Sequence, residues 1–215
     1  MTDRVAIVTG GLRGLGRSMT LGLAGTGVKV LAVGHIDSDM PSMTGIENVH
    51  PFVGDIRKPE GCDRIVAEAL KVFGRVDILV NNAGLTFTTI EPDRYRRDQR
   101  QKFWEVPDGV IQAVMDTNYV GSDQMARRVA PLLVAQGWGR IVNVTTKLST
   151  MNVPGAMPYG ASKAALEMAT ASTLTTGMLP CRRRRRPRRA GDRRGSSCIR
   201  GIKITGRWGD FLRLC

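Results

Sequence analysis

Tyr159 and Lys163 stand four residues apart in the run Tyr-Gly-Ala-Ser-Lys. On a helix that spacing sets both side chains on one face. A free phenol, with a pKa of ~10, exchanges protons poorly at neutral pH. An ammonium held beside it favours the phenolate, which would make Tyr159 a general acid–base group. In isolation the pair could equally be an exposed surface couple. A second chemical feature lies near the start of the chain, where Thr9 is followed by Gly10, Gly14 and Gly16 in the spacing Gly-x-x-x-Gly-x-Gly. A backbone without side chains can turn sharply, approach a pyrophosphate and aim helix N-terminal N–H groups at it.

These groups need particular elements to hold them. Val5 to Val8 are four apolar residues, too few for a helix and right for a buried strand, and a helical pattern begins at Leu15, Met19 and Leu23. Strand, glycine turn and helix in that order form the context in which a glycine fingerprint signals dinucleotide binding. Val28 to Val33 predicts a second strand ending at Gly34 and His35, followed by a loop rich in turn formers. Residues 49–56 predict a third strand with Asp55 at its far end, and Glu60 to Phe73 carries a helical apolar face. Val76 to Val80 is a fourth strand running into Asn81-Asn82-Ala83-Gly84. The charged stretch 89–109 reads as a surface excursion whose arginines form a solvated face. Val110 to Ala135 reads as one long helix with Asn118 midway, Ile141 to Val144 as a fifth strand, and Tyr159 to Ala171 as a helix. This alternation predicts an α/β fold, a doubly wound parallel sheet covered on both faces. Gly10, Asp55, Asn82 and Thr146 each follow a strand, hence share the sheet edge where ligands bind in such folds.

The order of the glycine turn, Asn-Asn-Ala-Gly and Tyr-x-x-x-Lys resembles the short-chain dehydrogenase/reductase family, over about Val5 to Ala171. The resemblance implies a Rossmann-like fold and an oxidoreductase that interconverts a carbonyl and a secondary alcohol by hydride transfer. It implies that Tyr159 exchanges the substrate oxygen's proton, while Lys163 holds the nicotinamide ribose and tunes the phenol. Asn118 matches the family asparagine whose backbone carbonyl anchors a relay water. The polarising hydroxyl, usually Ser thirteen residues before the tyrosine, falls on Thr146, with Ser149 as an understudy. Gly10, Arg13, Gly14, Leu15 and Gly16 would cradle the cofactor phosphates. Asp55 and Ile56 would meet the adenine, and Asn82, Ala83 and Gly84 would pack beside the ribose. The acid that NAD-preferring members place at the end of the second strand is replaced by Gly34. Arg13 offers an uncancelled guanidinium for a 2′-phosphate and His35 a further donor, so NADP(H) is expected over NAD(H). Homodimers or homotetramers are the family expectation.

Composition divides the chain. Of 32 basic and 19 acidic residues, Cys181 to Cys215 hold 12 Arg, one Lys and two Asp, leaving the preceding 180 residues nearly neutral. The reading is therefore a catalytic Rossmann domain over 1–180 and an Arg-rich, poorly ordered tail over 181–215. The resemblance implies that the family's last strands are replaced by this tail, which would leave the fifth strand an exposed edge. The tail reads either as a polybasic arm for nucleic acid or anionic lipid, or as a reading-frame accident. The excess of Arg over Lys and the loss of periodicity favour the accident. The alternatives to an enzyme are a dinucleotide-binding protein without turnover and a nucleic-acid-binding module built on the tail. Absence of an 18-residue apolar run and of a signal segment before the first strand fits a cytoplasmic protein. Two His and no Cys-x-x-Cys pair argue against a zinc site.

Overall fold

The computed structural model describes residues 3–95, 101–152, 154–175 and 198–204. Six strands form one wholly parallel sheet: β1 (Val5–Thr9), β2 (Lys29–Gly34), β3 (Val49–Val53), β4 (Ile78–Asn81), β5 (Trp138–Val144) and β6 (Cys198–Ile204). Their order is β3-β2-β1-β4-β5-β6, so the winding reverses between β1 and β4. The helices are α1 (Gly14–Ala24), α2 (Pro59–Phe73), α3 (Phe87–Ile90), α4 (Asp108–Met115), α5 (Gly121–Ala135), α6 (Leu148–Met151) and α7 (Met157–Thr175).

Side chains alternate between the two faces of a strand. Ile7, Leu31, Val33, Leu79 and Ile141 pack with Ile65 and Ala69 of α2 and Met125, Val129 and Leu133 of α5. Their neighbours Ala6, Val8, Val30, Ile78, Val80 and Val142 pack with Met19 and Leu23 of α1 on the other face. Burial on both faces is why these strands read as unbroken apolar runs. Each fully buried Ile or Leu contributes about 2 kcal/mol in this setting. Helix α2 shows how local chemistry sets the bounds. Pro59 begins it where a missing N–H costs nothing, and Gly74, at φ 76°, stops it in a left-handed turn.

Four expectations need correction. The loop after β2 contains a 3-10 helix, Asp37–Met43, because Met43 is buried against Leu12 and Ala32 and pins the segment. The long helix of 110–135 is interrupted by a π-helical turn at Asp116–Val120, between α4 and α5. The charged excursion is not wholly a solvated face: Glu91 and Arg94 are buried and paired. Finally, β5 is not left as an edge, since Cys198–Ile204 pairs with it in register from Trp138↔Cys198 to Val144↔Ile204. The β-branched residues of Cys-Ile-Arg-Gly-Ile-Lys-Ile favour a strand, whereas tail composition as a whole hid them. This strand therefore belongs to the same sheet as the first 180 residues, and the remainder of the proposed tail lies outside the described residues.

Candidate active site

The site forms where β1 and β4 diverge. Thr9, fully buried at the end of β1, accepts the N–H groups of Asn82 and Ala83 at 3.1 Å each through its hydroxyl, which donates to the Val80 carbonyl. Asn82 returns the link, its Nδ2 donating to the carbonyls of Thr9 and Gly10 at 3.0 and 3.3 Å. The glycine turn and the Asn81–Gly84 turn are thus one hydrogen-bonded unit. Gly10 adopts φ +65°, and a Cβ there would sit 2.9 Å from Asn82 Nδ2. A Cβ on Gly16 would overlap the Gly10 carbonyl, so this glycine permits α1 to start directly against the turn. Among the described residues no side chain caps the N-terminus of α1, where Arg13 is the N-cap, and no acidic residue lies in its first turn. Its N–H groups and positive dipole end are left for an anion.

A cleft of about 420 Å³ runs from this turn to the start of α7. Gly10, Arg13, Gly14, Leu15 and Gly16 line one end, Asn82, Ala83 and Gly84 the middle, and Thr145, Tyr159 and Lys163 the other end. His35, exposed beyond β2, also borders it. A smaller cavity of about 60 Å³ adjoins, lined by Asp55 and Ile56 together with Gly34 and Ala83. Of the residues expected from the sequence, only Asn118, Thr146 and Ser149 lie off these walls. Ser149 is exposed on α6 and Thr146 is partly exposed just after β5.

Asn118 sits behind the cleft, fully buried in the π-helical turn. Its Oδ1 accepts the Leu85 N–H at 2.7 Å, while Nδ2 donates to the Leu85 carbonyl and to Ser162 Oγ, both at 3.0 Å. Ser162 Oγ in turn donates to the Tyr159 carbonyl at 2.8 Å. One amide therefore locks the segment after β4 to the first turn of α7. Its backbone carbonyl accepts from Ser122 Oγ at 3.2 Å. Deeper still, Asn81 Nδ2 donates to Asn143 Oδ1 at 2.9 Å, and Asn143 Nδ2 to Thr170 Oγ1 at 2.8 Å, which ties β4, β5 and α7 together.

Lys163 is 5% exposed and its Nζ donates to the Val144 carbonyl at 2.8 Å. Burial disfavours the ammonium and lowers its pKa to about 8. Tyr159 is half-buried, its ring 4.6 Å from that of Phe87, and Lys163 Nζ lies 5.9 Å from its ring centroid. Burial raises the phenol's pKa. The expectation that Lys163, helped by an oxidised nicotinamide, makes the phenol acidic concerns the bound state; in the protein alone desolvation acts on both groups, and the ammonium is committed to a carbonyl.

Three further differences concern electrostatics. Arg13 is not uncancelled, because Asp39 of the 3-10 helix lies 3.6 Å from its Nε. Asp55 is held by Arg57, whose backbone N–H and guanidinium both donate to its carboxylate and push its pKa down. Thr145, which sequence spacing passed over for its neighbour, is 8% exposed and its hydroxyl has no partner among the described residues. An unpaired buried hydroxyl costs about 1–3 kcal/mol, a cost that a ligand in the cleft removes. Phe87 and Asp39 were equally invisible, as neither belongs to a periodic or spaced pattern. The cradle that Cβ atoms would fill, the uncapped helix start and the orphan hydroxyl together fit a dinucleotide.

Comparison with known proteins places the chain among relatives. The chain is 32% identical over 171 residues to a 3-oxoacyl-[acyl-carrier-protein] reductase of Synechocystis, covering 76% of this chain and 64% of that protein. It is 30% identical over 172 residues to an NAD-dependent glycerol dehydrogenase of Listeria innocua, covering 79% of this chain and 63% of that one. It thus spans just under two thirds of the length of these relatives. The crystal structure of a short-chain dehydrogenase from Streptomyces avermitilis superposes with a TM-score of 0.76 at 22% identity, over 95% of this chain and 65% of that one, and shares the fold. The profile of the short chain dehydrogenases matches residues 4–176, and the chain belongs to that family.

Proposed function

We propose that the chain is an oxidoreductase that interconverts a carbonyl and a secondary alcohol with NADP(H), and that Tyr159 is its acid–base residue. The observation that supports this most is the single cleft joining the Gly10–Gly16 turn to Tyr159 and Lys163, residues nearly 150 positions apart in sequence. A nicotinamide dinucleotide held there supplies hydride transfer to or from a carbon bearing oxygen. Gly10, Gly14, Leu15 and Gly16 would take its phosphates with backbone N–H groups. Asp55 and Ile56 would face the adenine, and Asn82, Ala83 and Gly84 the neighbouring ribose.

Tyr159 gives or takes the proton at the substrate oxygen. Lys163 would hold the ribose hydroxyls of a bound dinucleotide, and its charge would favour the phenolate. Thr146 donates the polarising hydrogen bond to the same oxygen. Thr145 is the second reading for that role, favoured by its unpartnered hydroxyl on the cleft wall. Asn118 holds the Tyr159 end of α7 through Ser162. Arg13 reads a 2′-phosphate, with His35 beside it. The Arg13–Asp39 pair is long and its guanidinium exposed, worth about 0–1 kcal/mol, and a phosphate would displace it. A homodimer or homotetramer is the assembly that goes with this reading.

Dinucleotide binding followed by fluorescence, with turnover across a panel of aldehydes and ketones, tests the proposal. Tyr159→Phe is expected to retain binding and lose 10²–10⁴-fold in turnover, roughly the contribution of a positioned acid–base group. Binding without turnover in the parent would make this a dinucleotide-binding protein. No dinucleotide binding at all would end the proposal.

A further inference from the structure

We propose that Arg94 is a positioning residue for Tyr159, one buried guanidinium that covers the ring beside the phenol and bonds the turn leading into the phenol's helix. The proposal builds on the acid–base reading of Tyr159 above. Arg94 lies in the excursion between α3 and α4, with its side chain 6% exposed. Its Nη1 and Nη2 both donate to the Pro154 carbonyl, at 3.2 Å each. Pro154 lies in the loop that leads into α7, five residues before Tyr159. The same guanidinium carbon stands 5.0 Å over the ring of Phe87, and Phe87 is the ring against which Tyr159 rests. Tyr159 therefore rests against a ring that Arg94 covers, on a helix whose entry turn Arg94 bonds.

The anchor of this device is Glu91, whose side chain is 2% exposed. Its Oε2 lies 3.4 Å from Arg94 Nη1, and its Oε1 accepts the Gln101 N–H at 2.9 Å. Ile90, Val106 and Val114 form a small apolar core around which Leu85 and Tyr159 pack, so the pair sits beside a wall that Tyr159 shares. Burying two charges is costly, and an apolar pair of similar volume generally serves stability as well or better. What an apolar pair lacks is direction. The planar fork of an arginine fixes where a carbonyl and a stacked ring lie relative to each other. Among the described residues, the charged groups nearest Tyr159 in these contacts are Lys163 on its own helix and Arg94 across Phe87, with Glu91 behind.

The test reads the phenol itself. The chain has three tyrosines, so a Tyr95→Phe/Tyr119→Phe background leaves Tyr159 as the single titrating phenol in the ultraviolet. Arg94→Lys keeps a charge beside Glu91 and removes the fork. Glu91→Leu/Arg94→Met replaces the pair with apolar bulk and keeps the fold if the first variant does not. Positioning by Arg94 predicts that either folded variant moves the Tyr159 titration midpoint down toward the ordinary phenol range, as water reaches a loosened ring. It also predicts a fall in kcat of about tenfold with dinucleotide affinity unchanged. A folded variant whose Tyr159 titration coincides with the parent's overturns the proposal and leaves Arg94 a structural residue. If the parent turns over no carbonyl, the acid–base reading fails, and the titration alone still decides whether Arg94 sets the phenol's surroundings.

Discussion

Replacing Lys163 by Met should change the pH dependence of folding stability in a direction fixed by its burial. In the folded chain its pKa falls from 10.5 to about 8. Between those values the unfolded chain keeps the proton that the folded chain has released. The unfolded state then binds more protons, so the stability at this position rises with pH across the window. Below about pH 8 the whole cost of the buried ammonium is present, roughly 3 kcal/mol for a displacement of that size. Lys163→Met removes the charge, keeps the aliphatic bulk and leaves the Val144 carbonyl without its donor, at a cost of about 1–3 kcal/mol. The two effects nearly offset near neutrality, but only the first depends strongly on pH. The stability of the variant relative to the parent should therefore fall by about 2 kcal/mol from about pH 7 to 9.5. With a urea dependence of about 2 kcal/mol per molar, that is a relative midpoint shift of about 1 M, readable by tryptophan fluorescence. The raised phenol pKa of Tyr159 acts oppositely: its stabilisation is present below the ordinary phenol range and is lost as pH rises through the raised value. That loss falls above the ordinary phenol range, outside the window compared. A difference that stays flat, or that grows in the variant's favour with pH, would refute the claim that Lys163 is held at a desolvation cost.

Two glycines of the turn should respond differently to alanine. At Gly16 a Cβ would overlap the backbone of Gly10, so Gly16→Ala should lose about 1–3 kcal/mol of stability and at least tenfold in dinucleotide affinity by titration calorimetry. At Gly14 there is open space and only a φ of +54° to strain, so Gly14→Ala should lose about 1 kcal/mol, with a melting shift of ~2–4 °C. The opposite ranking would contradict the packing described. Asp39→Asn releases the Arg13 guanidinium, and should tighten NADPH up to about fivefold while leaving NADH unchanged. Weakened NADH binding would instead assign Asp39 to the ribose hydroxyls.

The sequence alone determined what depends on one element or one turn. Four apolar residues before Gly10, the glycine spacing up to Gly16 and the Tyr159–Lys163 interval encode strand, turn and helix face through sterics and periodicity, which act over a few residues. The alternation of such segments was enough for the parallel sheet and for the edge that Gly10, Asp55 and Asn82 share. Tertiary structure decided which charges meet and which groups lose water. Arg13 faces Asp39, Arg57 clasps Asp55, and Arg94 is buried between Phe87 and Pro154. Thr145 lines the cleft with a hydroxyl unpartnered among the described residues, and β6 comes from a segment whose composition hid its strand-forming residues. Coulomb energies and desolvation depend on neighbours brought together across the fold, and local pattern carries no information about them.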